Sequence, residues 1–298
     1  MTRKMTDEGA EPRRRGREEA REERERRLER REALSAAIPY LAVVKAPSVP
    51  RPHKRIGRTL KAATYNVHRW AGLNGASAPD AARAGFVISE LDADVIALQE
   101  VLRPSSGDDP LEALADRLGL HLAFAATRRH RLGELGNAIL SRWPIGGVFV
   151  LDLSYSRMER RLAMAAQIPY AGGMLDVVAT HLALGDRTRH RQVRSLLDHP
   201  RLQGAPTLLL GDLNAWRRCK ATRALDEELA FHGDPWPPSF PAARPVLALD
   251  RIYSRGVRIL EVGAHASAAA RRASDHLPVV ARVELPQPKR ESARRQGS

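Results

Sequence analysis

Cysteine is almost missing from this chain of 298 residues, in which Cys219 stands alone. One thiol closes no internal bridge and builds no Cys-rich zinc site, so an ordinary apolar core must hold the fold, and a reducing cytosol is the expected compartment. Long apolar runs are missing too. The longest near the start, residues 33–44, is about a dozen residues broken by Pro39, well short of the roughly 20 that span a bilayer. It also makes a poor export signal, because a long charged segment precedes it in place of a short basic one. Aromatic residues make up only 5% of the chain, which leaves few stacking platforms for unpaired bases.

Charge is plentiful and unevenly placed. The net charge is +14, of which residues 1–60 carry +7 and residues 287–298 carry +3, so residues 61–286 are only mildly basic. From Arg13 to Glu32 the chain is nearly all Arg and Glu with Ala and Leu between them, a composition that supports a solvated helix but no core. Two roles fit this arm: a solubilising extension, or an electrostatic anchor that binds polyanions weakly. Pro47, Pro50 and Pro52 with His53, Lys54, Arg55 and Arg58 then read as a stiff basic linker. The expected organisation is an arm and linker over 1–60, one domain over 61–286 and a polar tail over 287–298.

Within 61–286, short apolar runs alternate with amphipathic stretches. Eleven strands are expected, from 62–68 through 95–100, 121–126, 137–141, 147–152, 161–168, 174–181, 207–211, 248–253 and 257–264 to 279–285. Helices are expected over 79–91, 111–118, 186–197 and 221–229. Short turns between several neighbours imply antiparallel pairing, whereas 62–100 contains a crossover helix. Two mixed sheets packed face to face with helices outside satisfy both patterns.

Polar residues then mark the ends of these apolar runs. Asn66, Glu100, His181, Asp212 with Asn214, Asp250, and Asp275-His276 each sit where a run stops or starts. A single polar strand end is ordinary capping; repetition at so many ends, with only carboxylates, amides and imidazoles, points to one crevice fed by several strands. Oxygen donors without thiolates favour a hard divalent ion, Mg²⁺ or Mn²⁺, with Glu100 the best ligand. Asp212 and Asn214, two apart on an extended segment, are expected to point the same way, to orient a water and bond a phosphoryl oxygen. His276 titrates near neutrality, and Asp250 could hold its tautomer. A metal with acid–base help is the equipment for phosphoester hydrolysis.

The ordered segments Thr64-Tyr65-Asn66-Val67-His68, Val95 to Glu100, Gly136 to Pro144, Thr180-His181-Leu182, Gly211-Asp212-Leu213-Asn214, Leu249-Asp250-Arg251-Ile252 and Ser274-Asp275-His276-Leu277-Pro278 resemble the motifs of the endonuclease/exonuclease/phosphatase superfamily across about residues 62–285. The resemblance implies an α+β fold, the four-layer αββα sandwich. It implies Glu100 as the principal Mg²⁺ ligand, with Asn66 beside it and Asp275 completing the site. It makes Asp212 the group that orients or deprotonates water, Asn214 a phosphate contact, His276 held by Asp250 an acid–base or charge-stabilising group, and His181 a neighbour of the leaving-group oxygen. The Asn137 segment either touches substrate or serves as a buried strand.

Family membership leaves the phosphoester open. The run from Phe240 to Tyr253, with Ser-Phe-Pro before Leu-Asp-Arg-Ile, is closer to compact bacterial phosphodiesterases and phosphatases than to abasic-site repair enzymes. Arg187, Arg189, Arg191 and Arg194 after His181, and Arg217, Arg218 and Lys220 after Asn214, place positive charge beside the site. Trp70, Trp143, Trp216 and Trp236 lie near motif loops. The leading expectation is a monomeric phosphodiesterase or endonuclease acting on DNA or RNA. The alternatives are the same chemistry on a small or lipid-headgroup phosphoester, and a binding protein that kept the fold and lost catalysis.

Overall fold

A computed structural model describes residues 42–51, 56–155, 159–204, 206–233 and 235–286. The expected arm over Arg13–Glu32 and the tail over 287–298 lie outside the described residues. The chain forms β1 (Ala42–Lys45), β2 (Thr59–Asn66), a short 3-10 turn (His68–Trp70), α1 (Ala81–Leu91), β3 (Val95–Pro104), α2 (Pro110–Leu118), β4 (His121–His130), β5 (Gly133–Ser141) and β6 (Gly147–Asp152). There follow β7 (Leu162–Tyr170), β8 (Gly173–His181), α3 (Asp186–Leu197), α4 (Pro200–Gln203), β9 (Thr207–Asp212), α5 (Lys220–Glu228), β10 (Asp250–Arg255), β11 (Arg258–Ala264), α6 (Ala270–Ala273) and β12 (Val279–Glu284). All eleven expected strands and four expected helices are present, with bounds shifted by a few residues.

The strands make two mixed sheets, one ordered β1-β4-β5-β3-β2-β12-β11 and the other β10-β9-β8-β7-β6. Each sheet has one parallel pair, β2 with β3 and β8 with β9. A parallel pair needs a crossover. Helix α1 supplies it in the first sheet and α3 with α4 in the second.

Alternation along the strands sorts the core into three layers. In β2 and β3, Leu60, Ala62, Val95 and Ala97 face the second sheet, while Ala63, Tyr65, Ile96 and Leu98 face α1 and α2. Val178 and Leu209 of the second sheet likewise turn outward onto Val193 and Leu196 of α3 and Leu225 of α5. The result is helix, sheet, sheet, helix. The α+β sandwich of two mixed sheets flanked by helices is therefore the observed fold.

Three local expectations need correction. Residues 42–45, assigned by sequence to the arm and linker, form the edge strand β1 against Leu122–Ala125 of β4. Lys45 pairs with Glu112 on α2, and the backbone N–H of Ser48 donates to Asp116 at 2.6 Å, so polar tethers fix a segment too short to show strand periodicity. Glu100 does not end its strand: β3 runs on to Pro104 and slips register between Leu98 and Val101. Asn214 lies beyond β9 with φ 51°, so strand alternation with Asp212 does not aim it.

Gly211, in the register position next to Thr180, lets β9 approach β8 closely. A Cβ there would lie 2.0 Å from the Thr180 carbonyl oxygen. Gly211→Ala is expected to cost about 1–3 kcal/mol, seen as a lower urea midpoint, and to depress turnover because residue 211 carries Asp212. An unchanged midpoint with unchanged turnover would contradict this close approach.

Candidate active site

The register of the second sheet assembles half of the site. His181 is paired with Asp212 across the parallel β8–β9 ladder, and Asp250 is paired with Asp212 across the antiparallel β9–β10 ladder. Three strand ends thus place an imidazole and two carboxylates side by side on one face. The first sheet brings Asn66 from the end of β2, and the Ser274–His276 loop enters before β12. Asn66 Nδ2 donates to Asp212 Oδ2 at 3.1 Å and joins the sheets at this point.

Glu100 reaches the same space through the bulge in β3, where its φ is 51°. Left-handed backbone is costly outside glycine, and bulges commonly re-aim one side chain at a site. A second strained stretch lies opposite: His68, Arg69 and Trp70 have φ of 46°, 56° and 61°. Trp70 is buried and donates its indole N–H to the Leu102 carbonyl at 2.7 Å, which anchors the turn and leaves His68 and Arg69 facing the pocket.

The pocket so formed holds about 370 Å³. Of the residues expected from sequence, Asn66, Glu100, His181, Asp212, Asn214, Asp275 and His276 line it. Asp250 does not; it is fully buried behind His276 and accepts from Nδ1 at 2.7 Å. The Ser239 hydroxyl donates to the same Asp250 oxygen at 2.6 Å. Asn137 lies away from the pocket, with Nδ2 donating to the Leu162 carbonyl between the sheets. Trp143 and Trp236 are buried, whereas Trp216 stands 63% exposed at the mouth. Sequence reasoning missed His68, Arg69, Arg161, Leu184 and Phe240 on the wall. His68 and Phe240 belong to motif segments, a signal available in the sequence; Arg161 carried none.

Asp212 sits at the centre of these groups. Its Oδ2 takes Asn66 Nδ2 and lies 3.3 Å from His181 Nε2 and 3.7 Å from His276 Nε2, while Oδ1 accepts the Asn214 backbone N–H at 2.9 Å. That last bond is an Asx turn, and it sets the left-handed conformation of Asn214. Asn214 Nδ2 in turn donates to the Leu182 carbonyl at 2.9 Å. Buried Arg189 fixes the surrounding loops from below, donating to the carbonyls of Ala183, Leu184 and Asn214 at 2.9, 3.0 and 2.7 Å and pairing with Asp186.

The two histidines beside Asp212 are held in opposite states. Burial, helped by the charge on Arg161, pushes His181 down to about 3, so it is a neutral imidazole whose Nε2 lies 3.3 Å from the Asp212 carboxylate. Burial also acts against the charge on His276, but Asp250, Asp212 and Asp275 outweigh it and push this group up to about 10. His276 is therefore an imidazolium at neutral pH. Two imidazoles flanking one carboxylate thus carry different charges.

Two sets of residues could hold a cation. Burial raises the Asp275 carboxyl, the imidazoles of His276 and His68 pull it back, and the charge of Glu100 raises it again. The Glu100 and Asp275 carboxylates and the Asn66 amide oxygen offer hard donors on one wall of the pocket, with Arg69 3.8 Å from Glu100, His68 Nδ1 3.2 Å from Asp275 and the His68 backbone N–H on the Asn66 oxygen. Asp212, Asp250 and His276 also bring ligand atoms within 4.8 Å of one another. There, however, the facing Asp250 oxygen already accepts from both His276 and Ser239.

The pocket thus gathers a buried carboxylate, an imidazolium and a hard-donor set where strand ends of both sheets meet. The chain belongs to the endonuclease/exonuclease/phosphatase family, whose model matches residues 63–276. Members of this family hydrolyse phosphoesters, generally with a divalent metal. A relative in Escherichia coli (strain K12), the uncharacterised protein YbhP, is 31% identical over 227 residues, covering 67% of this chain and 89% of its own length. The solved endonuclease/exonuclease/phosphatase of Beutenbergia cavernae superposes with a TM-score of 0.63 at 25% identity, covering 77% of this chain and 72% of that one. At 16% identity, the mannosyl-6-phosphatase Bt3783 of Bacteroides thetaiotaomicron shares the fold, with a TM-score of 0.58 over 76% of this chain and all of that one.

Asp250→Asn keeps the shape of the side chain but removes the charge that holds His276 protonated. Turnover is expected to fall by about 10²–10⁴-fold with little change in the melting curve. Turnover within a few-fold of the parent would show that the His276–Asp250 pair does not bear on turnover.

Proposed function

We propose that this protein is a Mg²⁺-dependent phosphodiesterase that cleaves single-stranded nucleic acid by attack of water. The observation that carries the reading is Trp216, an exposed indole at the mouth of the pocket, followed at once by Arg217 and Arg218. An exposed aromatic beside a phosphate pocket is a stacking platform for a base, and neighbouring arginines suit the backbone. The other tryptophans are buried, so the low aromatic content does not weigh against this use.

In this reading Glu100, Asp275 and Asn66 hold the cation, with Mn²⁺ a workable substitute. At that position Mg²⁺, when bound, supplies Lewis-acid polarisation of a phosphoryl oxygen. Asp212 accepts a hydrogen bond from the attacking water, aims it and takes its proton as the bond to phosphorus forms, its other lone pairs being matched by Asn66 and the Asn214 backbone. His276, already protonated, cannot serve as the base; its Nε2–H offsets charge growing on the phosphoryl group or passes a proton to the leaving oxygen. Asp250 and Ser239 keep the ring oriented. His181 contributes a neutral donor near the leaving group, Asn214 contacts the phosphate, and Arg69 and Arg161 add positive charge to the walls. Among the described residues no helix is long and apolar enough to cross a membrane, and the lone buried Cys219 supports a cytoplasmic enzyme.

The test is hydrolysis of a single-stranded oligonucleotide by purified protein with Mg²⁺, with chelator, and with a His276→Ala control. Cleavage that needs both the metal and His276, with the variant slower by about 10³-fold or more, is the expected result. Absence of strand cleavage, together with metal-dependent release of phosphate from sugar or lipid-headgroup phosphoesters, would move the substrate to that class.

A further inference from the structure

The loops that frame the catalytic pocket continue outward into a second, larger groove of about 700 Å³ between α3 and the start of α5. Leu184 lines the pocket and Asp186 the groove; Trp216 lines the pocket and Arg217 the groove. The two cavities are therefore neighbours along both loops, and the buried Arg189 guanidinium ties these loops together.

The groove is strongly one-signed. Arg187, Arg191, Arg217, Arg218, Lys220 and Arg223 line it against one carboxylate, Asp186. All six cationic side chains are exposed. Asp186 is already shared between Arg189 and Arg217, and Arg218 lies 3.8 Å from Asp226. Among the described residues, Arg187, Lys220 and Arg223 have no carboxylate in ion-pair range. Farther along α3 the pattern differs, since Arg194 is matched by Asp198 and Glu228. Unmatched cations gathered in a concavity repel one another, and an anionic ligand relieves that repulsion.

Helical spacing organises the charge. Arg187 and Arg191 are one turn apart on α3, about 6 Å along its axis, and Lys220 and Arg223 repeat the device on α5. This gives two rows of cations along the groove that neighbours Trp216. A single small phosphoester fills the catalytic pocket and has no use for such rows. A lipid surface would meet apolar side chains, and none is exposed among the residues that line this groove. Repeated phosphates on a flexible chain match the groove best.

We infer that the α3–α5 groove is a phosphate track for single-stranded nucleic acid, holding the part of the strand that flanks the bond placed in the catalytic pocket. The inference rests on the nucleic-acid reading of that pocket. It is tested with Arg187→Ala/Arg191→Ala/Arg223→Ala. Binding of a fluorescein-labelled oligothymidylate is measured by anisotropy in chelator over a series of salt concentrations, alongside Mg²⁺-dependent cleavage of the same strand and of bis(p-nitrophenyl) phosphate, a diester too small to reach the groove. The expected variant binds the strand at least tenfold more weakly, its log–log salt slope is shallower by about two to three, and its turnover of the small diester stays within twofold. Equal strand affinity and salt slope in both proteins overturn the track even where the strand is cleaved. Strand binding that needs the three arginines without cleavage under any metal condition supports the groove as a nucleic-acid surface and removes the catalytic reading instead. Binding of phosphatidylserine vesicles in place of the strand, lost in the variant, overturns nucleic acid as the partner.

Discussion

The Asp212 carboxylate sits at the seam of the two sheets, and the site is built around its lone pairs. Asn66 reaches it from the first sheet, His181 from the neighbouring strand of the second, and the Asn214 backbone from the turn that follows. A buried carboxylate is costly unless its oxygens are matched by donors. Here the matching also fixes geometry, because each donor comes from a different element, and a shift of any one leaves Asp212 under-satisfied. The same carboxylate helps to keep His276 charged, so position and electrostatics share one origin.

The architecture explains why these groups can meet. Both parallel pairs lie inside their sheets, and the polar ends of β2, β8 and β9 converge at one edge of the sandwich. Apolar packing between and outside the sheets gives the strands no freedom to slide, since a one-residue slip would turn every core side chain outward. Strain gathers at the rim: apart from Asp92 at the end of α1, every non-glycine residue with left-handed backbone among the described residues lies in or beside the pocket wall. Glu100, Asn214 and the His68–Trp70 turn all take left-handed backbone, and all adjoin the pocket. Such conformations survive where surrounding contacts over-determine them, as the Trp70 anchor and the Asx turn at Asp212 do.

Much of this was legible in the sequence, for definable reasons. Strand alternation and strand-end polarity located Asn66, His181, Asp212 and Asp250, because period-two patterning and register carry directly into space. Helix α3 was bounded at both ends by its three- and four-residue spacing. Features that depend on tertiary tethering were not visible. The edge strand β1 is too short to show a period and is held by Lys45 and the Ser48 backbone on α2. The bulge that turns Glu100 inward arises from pairing with β5, which lies over thirty residues away in the chain. Arg161 and Arg69 reach the pocket only because distant segments fold beside it, and their residue types gave no warning. The opposed states of the two histidines depend on burial and on which carboxylates face each ring.

That opposition is the central physical claim, and NMR reads it directly. Ring chemical shifts of His181 and His276 followed through a pH titration of the metal-free protein should show His276 charged up to about pH 10 and His181 neutral down to about pH 3. Two rings that titrate together near the ordinary histidine value of about 6.5 would contradict the account, because Asp212 would then stand between electrostatically equivalent groups.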